Sequence, residues 1–327
     1  MNLGNKKSNL LILLAVFILG GCGNFSGNYE EIESSASSES TTTDDGTTPS
    51  TTTPTAIDSW GSKGTGSGQY MGDGSIIANS DYIYISSSSG SGISKFDTSG
   101  NTIAHNSTYN IRQINFHPSD TSKIYGYANP GGKVKVFDLS LNEISSDNSS
   151  ISSGDHGLTV DTNGNVYVSG YHNDYKVSKY SDNGTLGLSL VTSWGSLGES
   201  SGQFSNPQYV HIYDSFLYVA DLGFNTLNGN KVVVYDLNGN LQKTISMSTY
   251  GSYFVYDICF NDSKLYVVVW SQIVKINISD NSVYQKTIIN DESGGSISSG
   301  NCAIMSNHFY FLSNDAKKIY KFNLSDL

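Results

Sequence analysis

The sequence predicts an all-β fold, a six-bladed β-propeller closed by its own N-terminal strand. Two observations predict it first. An aromatic-centred strand recurs six times, at Tyr82–Ile85, Ile124–Tyr127, Val166–Ser169, Leu217–Ala220, Leu265–Val268 and Phe309–Leu312. Each is followed by a second strand ending in an apolar residue beside Asp, Asn or Ser: Phe96-Asp97, Phe137-Asp138, Tyr180-Ser181, Tyr235-Asp236, Ile276-Asn277 and Phe322-Asn323. The period of about 41 to 55 residues, with several strands per unit, marks stacked blades rather than one continuous sheet. The third observation is an eleven-residue phrase written twice. Trp60-Gly61-Ser62 through Gly68-Gln69-Tyr70 returns as Trp194-Gly195-Ser196 through Gly202-Gln203-Phe204.

The first 21 residues read as an export signal. Lys6 and Lys7 precede an apolar run from Leu10 to Leu19 that is too short to stay as a membrane-spanning helix. Leu19-Gly20-Gly21-Cys22 resembles the lipobox of bacterial lipoproteins. That resemblance implies diacylglycerol on Cys22, an acylated (palmitate-type) mature N-terminus and an exported, membrane-held protein. The plainer alternatives are an ordinary cleaved signal with a chance Cys, or a short anchor helix. No Asp follows Cys22, which by analogy with lipoprotein sorting favours the outer membrane or cell surface.

Residues 22–56 form the next segment. Ser34 to Thr55 is almost entirely Ser, Thr, Glu, Asp, Pro and Ala. Such a composition cannot bury enough apolar surface to offset its ordering entropy, so it reads as a flexible tether. The net charge is −11, and Arg112 is the only arginine. An acidic surface with one guanidinium argues against nucleic acid as a partner.

Residues 57–327 hold the repeats. Tyr, Ile, Val and Phe favour strands, and the Gly, Asn, Asp and Ser clusters between them favour turns. His156-Gly157-Leu158-Thr159-Val160-Asp161 through Gly164-Asn165-Val166-Tyr167-Val168 resembles the NHL repeat core. Gly202-Gln203-Phe204-Ser205-Asn206-Pro207 resembles its lead-in, and Tyr218-Val219-Ala220-Asp221 its second strand, with Asn225 and Lys231 loosely placed. The resemblance is weak in the last two units. It implies six blades around a channel, with five or seven as alternatives. The last unit stops one strand short, and Ile57 to Trp60 has no blade of its own. By analogy with Val191 to Trp194, which closes an interior blade, Ile57 to Trp60 is expected to close the last one.

Propeller ligands usually bind where the innermost strands begin. The candidate residues there are Asp73, Arg112, Asp155, His156, Tyr209, His211, Asp257 and Asn301. A ring of such groups suits a divalent cation, as in the six-bladed gluconolactonases and the peptide-amidating lyase. The simpler reading is that they cap turns and pair with backbone, because they do not fall at one offset in every unit. His211 either faces the channel or packs between blades, with packing preferred. The sequence holds no Gly-x-Ser-x-Gly elbow and no phosphate-cradling lysine loop. Cys259 and Cys302 sit one position apart when counted back from the following strands. That offset points them to opposite faces of their blades, and two separate buried thiols are expected.

The reading is a monomeric, lipid-anchored binding module at the cell envelope that takes a protein, peptide or glycan, with no cofactor beyond the acyl lipid. The alternatives are a lactonase-type hydrolase or lyase using a channel-bound cation, and an assembly lipoprotein. The 22 tyrosines, with abundant Asn, Ser and Gly, resemble surfaces that stack on sugars or grip peptides, although Tyr is also the strand aromatic of the repeat.

Overall fold

The computed structural model describes residues 53–327, apart from 130, 147–150, 152–154, 171–174, 183–185, 224–229 and 249–253. The segments expected to be signal and tether, with Cys22 between them, lie outside the described residues up to Thr52.

The chain opens with β1 (Asp58–Trp60) and a short parallel pair, β2 (Ser62–Lys63) and β3 (Gln69–Tyr70). The first blade is β4 (Ile76–Ala78), β5 (Tyr82–Ser87), β6 (Gly92–Asp97) and β7 (Thr102–Asn106). The second is β8 (Ile111–His117), β9 (Asp120–Ala128), β10 (Lys133–Asp138) and β11 (Glu143–Ser146), and the third is β12 (Asp155–Val160), β13 (Val166–Gly170), β14 (Lys176–Asp182) and β15 (Leu188–Trp194). The fourth is β16 (Pro207–Tyr213), β17 (Phe216–Leu222), β18 (Asn230–Asp236) and β19 (Leu241–Ser246), and the fifth is β20 (Val255–Asn261), β21 (Lys264–Val269), β22 (Gln272–Asn277) and β23 (Val283–Ile288). The sixth has β24 (Gly300–Met305), β25 (His308–Ser313) and β26 (Lys318–Asn323), and β1 supplies its fourth strand. Asp58, Ser59 and Trp60 pair antiparallel with Lys321, Tyr320 and Ile319. The N-terminal strand therefore closes the ring, as the sequence predicts.

The core is divided among the blade junctions. Six hydrophobic clusters are described, and each joins the facing sides of two neighbouring blades. Alternation along each second strand decides the partner. Tyr84 packs with Ile114 and Phe137 of the second blade, whereas Ile83 and Ile85 pack with Tyr310 and Leu312 of the sixth. The same division recurs around the ring, with Tyr125, Tyr167, Tyr218, Tyr266 and Tyr310 each facing the following blade.

Polar groups add stitches between blades. Lys95 Nζ of β6 donates to the Leu139 carbonyl of the second blade at 2.9 Å, and Lys179 Nζ of β14 donates to the Leu237 carbonyl of the fourth at 3.0 Å. The receiving turn is held by an aspartate. Asp236 Oδ1 accepts from the amides of Asn238 and Asn240, and Oδ2 accepts from the Asn240 side chain at 2.7 Å. Asp97, Asp138 and Asp161 make the same set of bonds.

The doubled phrase sits at two such junctions. Trp60 packs edge-on to Tyr310 and covers the turn at Gly100. Trp194 packs edge-on to Tyr167 and covers the equivalent turn at Gly239. Gly239 has φ +89°, and a Cβ there would lie 2.7 Å from the Trp194 ring, so both conformation and contact require glycine.

Cys259 and Cys302 form a disulfide with Cα atoms 6.0 Å apart, which corrects the expectation of two separate thiols. The one-position offset is real: Cys259 lies opposite Tyr266 and faces the sixth blade, while Cys302 lies opposite Phe311 and faces the fifth. Opposite faces of two adjacent blades are the faces that meet, so the offset brings the sulfurs together.

Two outcomes are expected from this closure. Deleting residues 53–60 lowers the thermal midpoint of the whole propeller in one cooperative transition, because it opens the first–sixth junction and bares the edge of β26. A deletion that left the midpoint unchanged in calorimetry would refute closure by β1. Replacing both Cys259 and Cys302 by Ser lowers unfolding stability by about 2–4 kcal/mol in denaturant titration, and dithiothreitol has no further effect on that variant.

Candidate functional site

The innermost strand of each blade has no neighbour on its axial side, so its backbone groups need other partners. Side chains two residues before the position facing the central tyrosine supply several of them. This rule selects Ser75, Gln113, Gly157, Tyr209, Asp257 and Asn301. All six are buried. Tyr209, Asp257 and Asn301 thus share one register position.

Three members of this belt bind the backbone of the next blade. Ser75 Oγ accepts from the Ile114 amide at 2.9 Å, Gln113 Oε1 from the Leu158 amide at 2.6 Å, and Asp257 Oδ2 from the Cys302 amide at 3.1 Å. Asp257 Oδ1 also pairs with His211 Nε2 at 2.9 Å, joining the fourth and fifth blades. His211 therefore packs between blades and serves Asp257.

Gly157 leaves the space that the others fill. A Cβ there would lie 2.6 Å from the Gln208 carbonyl and 3.0 Å from Gln113 Oε1. Tyr209 crosses the axis from the fourth blade, and its hydroxyl donates to the Gly74 carbonyl of the first at 3.3 Å. The channel is blocked at this level. Burial, with Asp73 and Asp257 nearby, pushes the Tyr209 phenol far above its usual range, while Asn301 and Arg112 temper the shift. Tyr209 is a hydrogen-bonding plug. Asn301 lies near that phenol without meeting hydrogen-bond geometry, and both of its amide atoms lack a partner.

One residue earlier, towards the mouth, the inner strands of four consecutive blades are bulged at the same register. Register shifts fall between Ile111 and Ile114, Asp155 and Gly157, Pro207 and Tyr209, and Val255 and Asp257. The residues at these bulges are Arg112, His156, Gln208 and Tyr256. A bulge bends its strand and re-aims a side chain. Arg112 and Gln208 line one small depression together with Asp73 and the Tyr209 plug. The side chains of Asp155 and His156 lie outside the described residues, although their backbones are placed in β12.

Tyr256 belongs to an aromatic shelf on the fifth blade. Its ring lies 6.2 Å from Trp270 and 6.2 Å from Phe254, and Phe254 lies 6.5 Å from Trp270. Trp270 occupies the β21–β22 turn with φ +49°, an uncommon conformation for a bulky residue, and is 48% exposed. The Ser299 amide donates to its carbonyl at 3.2 Å. Burial, then Asp315 and Asp73, raise the Tyr256 phenol well above its usual range. Lys317 donates to the Gly72 carbonyl at 3.0 Å on the same side. The mouth therefore combines two carboxylates, two cations, an amide and an aromatic face.

Of the sequence candidates, Asp73 and Arg112 meet at the mouth, while Tyr209, His211, Asp257 and Asn301 form the belt beneath it. Among the described residues, no three His, Cys, Asp or Glu side chains are grouped to hold a metal ion. Gln208, Phe254 and Trp270 were not singled out from the sequence. Gln208 was legible as the residue three before the one facing a central tyrosine. Trp270 stands in a turn that follows a run of Val, where its exposure is not written.

No protein-family model matches the chain, and no curated protein sequence does. Solved structures do resemble it. A streptogramin B lyase superposes with a TM-score of 0.53 at 14% identity, covering 77% of this chain and 93% of that one. The β-propeller domain of Cps50 (Swd1) from Myceliophteria thermophila superposes with a TM-score of 0.52 at 8% identity, covering 76% of this chain and 82% of that one. The chain is a six-bladed β-propeller. At these identities the likeness is one of fold.

A buried ion pair ties the second copy of the doubled phrase to the fourth blade. Asp221 accepts from the amides of Ser205 and Asn206, and its Oδ2 lies 3.8 Å from Lys231 Nζ. Lys231 in turn donates to the Glu199 carbonyl at 3.1 Å. Burial raises the Asp221 carboxyl to about 6, against the opposing pull of those amides and Lys231. A raised carboxyl means the folded state holds its proton more tightly than the unfolded chain. Stability from this group is thus fullest below the usual carboxylate range and falls as pH rises towards about 6. We expect the pH 4–7 slope of the thermal midpoint to flatten in Asp221→Asn, and an unchanged slope would rule this group out as its source.

Proposed function

We propose that this chain is a lipid-anchored binding module of the bacterial cell envelope. In this reading Cys22 carries the acyl lipid, the Ser/Thr-rich segment ahead of Pro54 is a tether, Pro54 and Ala56 already being bonded to Asn290, and the propeller is NHL-like. Its mouth engages a protein, peptide or glycan. Two or three acyl chains, at roughly 0.8 kcal/mol per buried methylene, suffice to hold such a domain on a membrane.

The observation that carries the binding reading is the row of four bulged residues at one register. Below it, the belt residues Ser75, Gln113 and Asp257 are committed to amides of neighbouring blades, and Tyr209 blocks the axis. Ligand contact therefore falls to the mouth, where Arg112 and Gln208 share a depression with Asp73. The likeness to a streptogramin B lyase supports the six-bladed architecture that presents this mouth.

Two measurements test the reading. Cys22→Ser is expected to abolish fatty-acyl labelling and to move the protein from the detergent phase to the aqueous phase, and a variant that stayed in the detergent phase would defeat the anchor. The pair Arg112→Ala and Gln208→Ala is expected to weaken retention on isolated envelope fragments about tenfold, as for a small interface hot spot, at unchanged thermal midpoint. Retention equal to the parent protein would place the ligand elsewhere on the surface.

A further inference from the structure

We infer that the mouth binds a neutral saccharide, with Trp270 stacking on a sugar ring and Arg112, Gln208 and Asp73 bonding its hydroxyls. This rests on the binding-module reading and names the ligand class for the same face.

The first ground is the aromatic shelf. Most tyrosines of the repeat are spent inside blade junctions, as Tyr84, Tyr167 and Tyr218 are. Trp270 departs from that pattern, while Tyr256 beside it still packs against the fifth–sixth junction. Trp270 is half exposed in a left-handed turn, and Tyr256 stands at a bulge beside it. A pyranose offers an apolar C–H face and a polar rim. An indole can cover the face at little entropic cost, because it has two side-chain torsions.

The second ground is the polar set. Planar guanidinium, carboxamide and carboxylate groups each offer paired donors or acceptors that match vicinal hydroxyls, and a site built this way rejects ligands that leave those groups unpaired. The hydroxyl of Tyr209 is already committed to Gly74 and forms the floor.

The third ground is charge. Asp73 and Asp315 oppose Arg112 and Lys317 around the mouth, so the formal charges of these four groups cancel. The net charge of the chain is −11, and a polyanion approaching it is repelled. A polycation finds no net charge to match among these four groups. A neutral polyhydroxylated ligand meets neither penalty.

The test uses the intrinsic fluorescence of the intact chain. Only three tryptophans are present, and the indole nitrogens of Trp60 and Trp194 are buried at blade junctions. Titration with neutral tetrasaccharides of hexose and of N-acetylhexosamine is expected to give a saturable emission change with at least one of them. Trp270→Ala is expected to raise Kd about tenfold by calorimetry, the size of a lost aromatic stack, and Trp270→Phe to restore most of the affinity. Gln208→Ala, which leaves the shelf intact, is expected to weaken the same sugar. Thermal midpoints equal to the parent's guard against misfolding. Saccharides that bind no variant, or that bind Trp270→Ala as tightly as the parent, overturn the saccharide inference. If envelope fragments are still retained through Arg112 and Gln208 in that case, the binding-module reading stands and peptide becomes the ligand class. If retention is also lost from the mouth, both fall.

Discussion

Each blade of this ring is a four-stranded sheet with two apolar faces and no cover of its own. Every described hydrophobic cluster lies between two blades, so no blade can be stable without both neighbours. Closure is the constraint on which the rest depends. It rests on three paired residues of β1, on Trp60 packing against Tyr310, and on the disulfide that ties the fifth blade to the sixth. The covalent bond and the N-terminal strand meet at one blade, the one joined from both ends of the chain.

Much of this was legible in the sequence because it follows from period and alternation. The six Tyr-centred strands set the blades, and the orphan segment ending at Trp60 matched the gap left by the last unit. The doubled Trp-Gly phrase was readable as a junction. Its glycines and Gln69 or Gln203 close a small loop, with Gln69 Oε1 accepting from the Gly66 amide and Gln203 Oε1 from the Ser200 amide. The disulfide departs from the sequence expectation for a geometric reason. Opposite faces of adjacent blades are the faces a ring turns towards each other, so an offset that separates residues within one sheet joins Cys259 to Cys302 here.

The site was less legible because it depends on bulges. A bulge adds one residue to a strand without a fixed composition, so it shifts offsets counted forward from the start of a unit. Counting backward from the central tyrosine removes the shift. Asp257, Asn301 and Tyr209 then align with Ser75, Gln113 and Gly157. Arg112, His156, Gln208 and Tyr256 align above them.

The two layers divide the work. In the belt, the unpaired axial edge of each inner strand creates a demand for acceptors, and Ser75, Gln113 and Asp257 meet it from the preceding blade. Where Gly157 removes the side chain, Gln113 reaches past it to the Val210 carbonyl, and Tyr209 spans the axis to Gly74. A polar group in that layer is needed for the ring to close on itself, so substitution there trades against folding. One step towards solvent the demand is gone, because each bulge has already left the ladder. Gln208 is therefore a position whose side chain lines the mouth depression rather than a blade junction. In this fold a ligand site can be altered there while the scaffold beneath it stays intact.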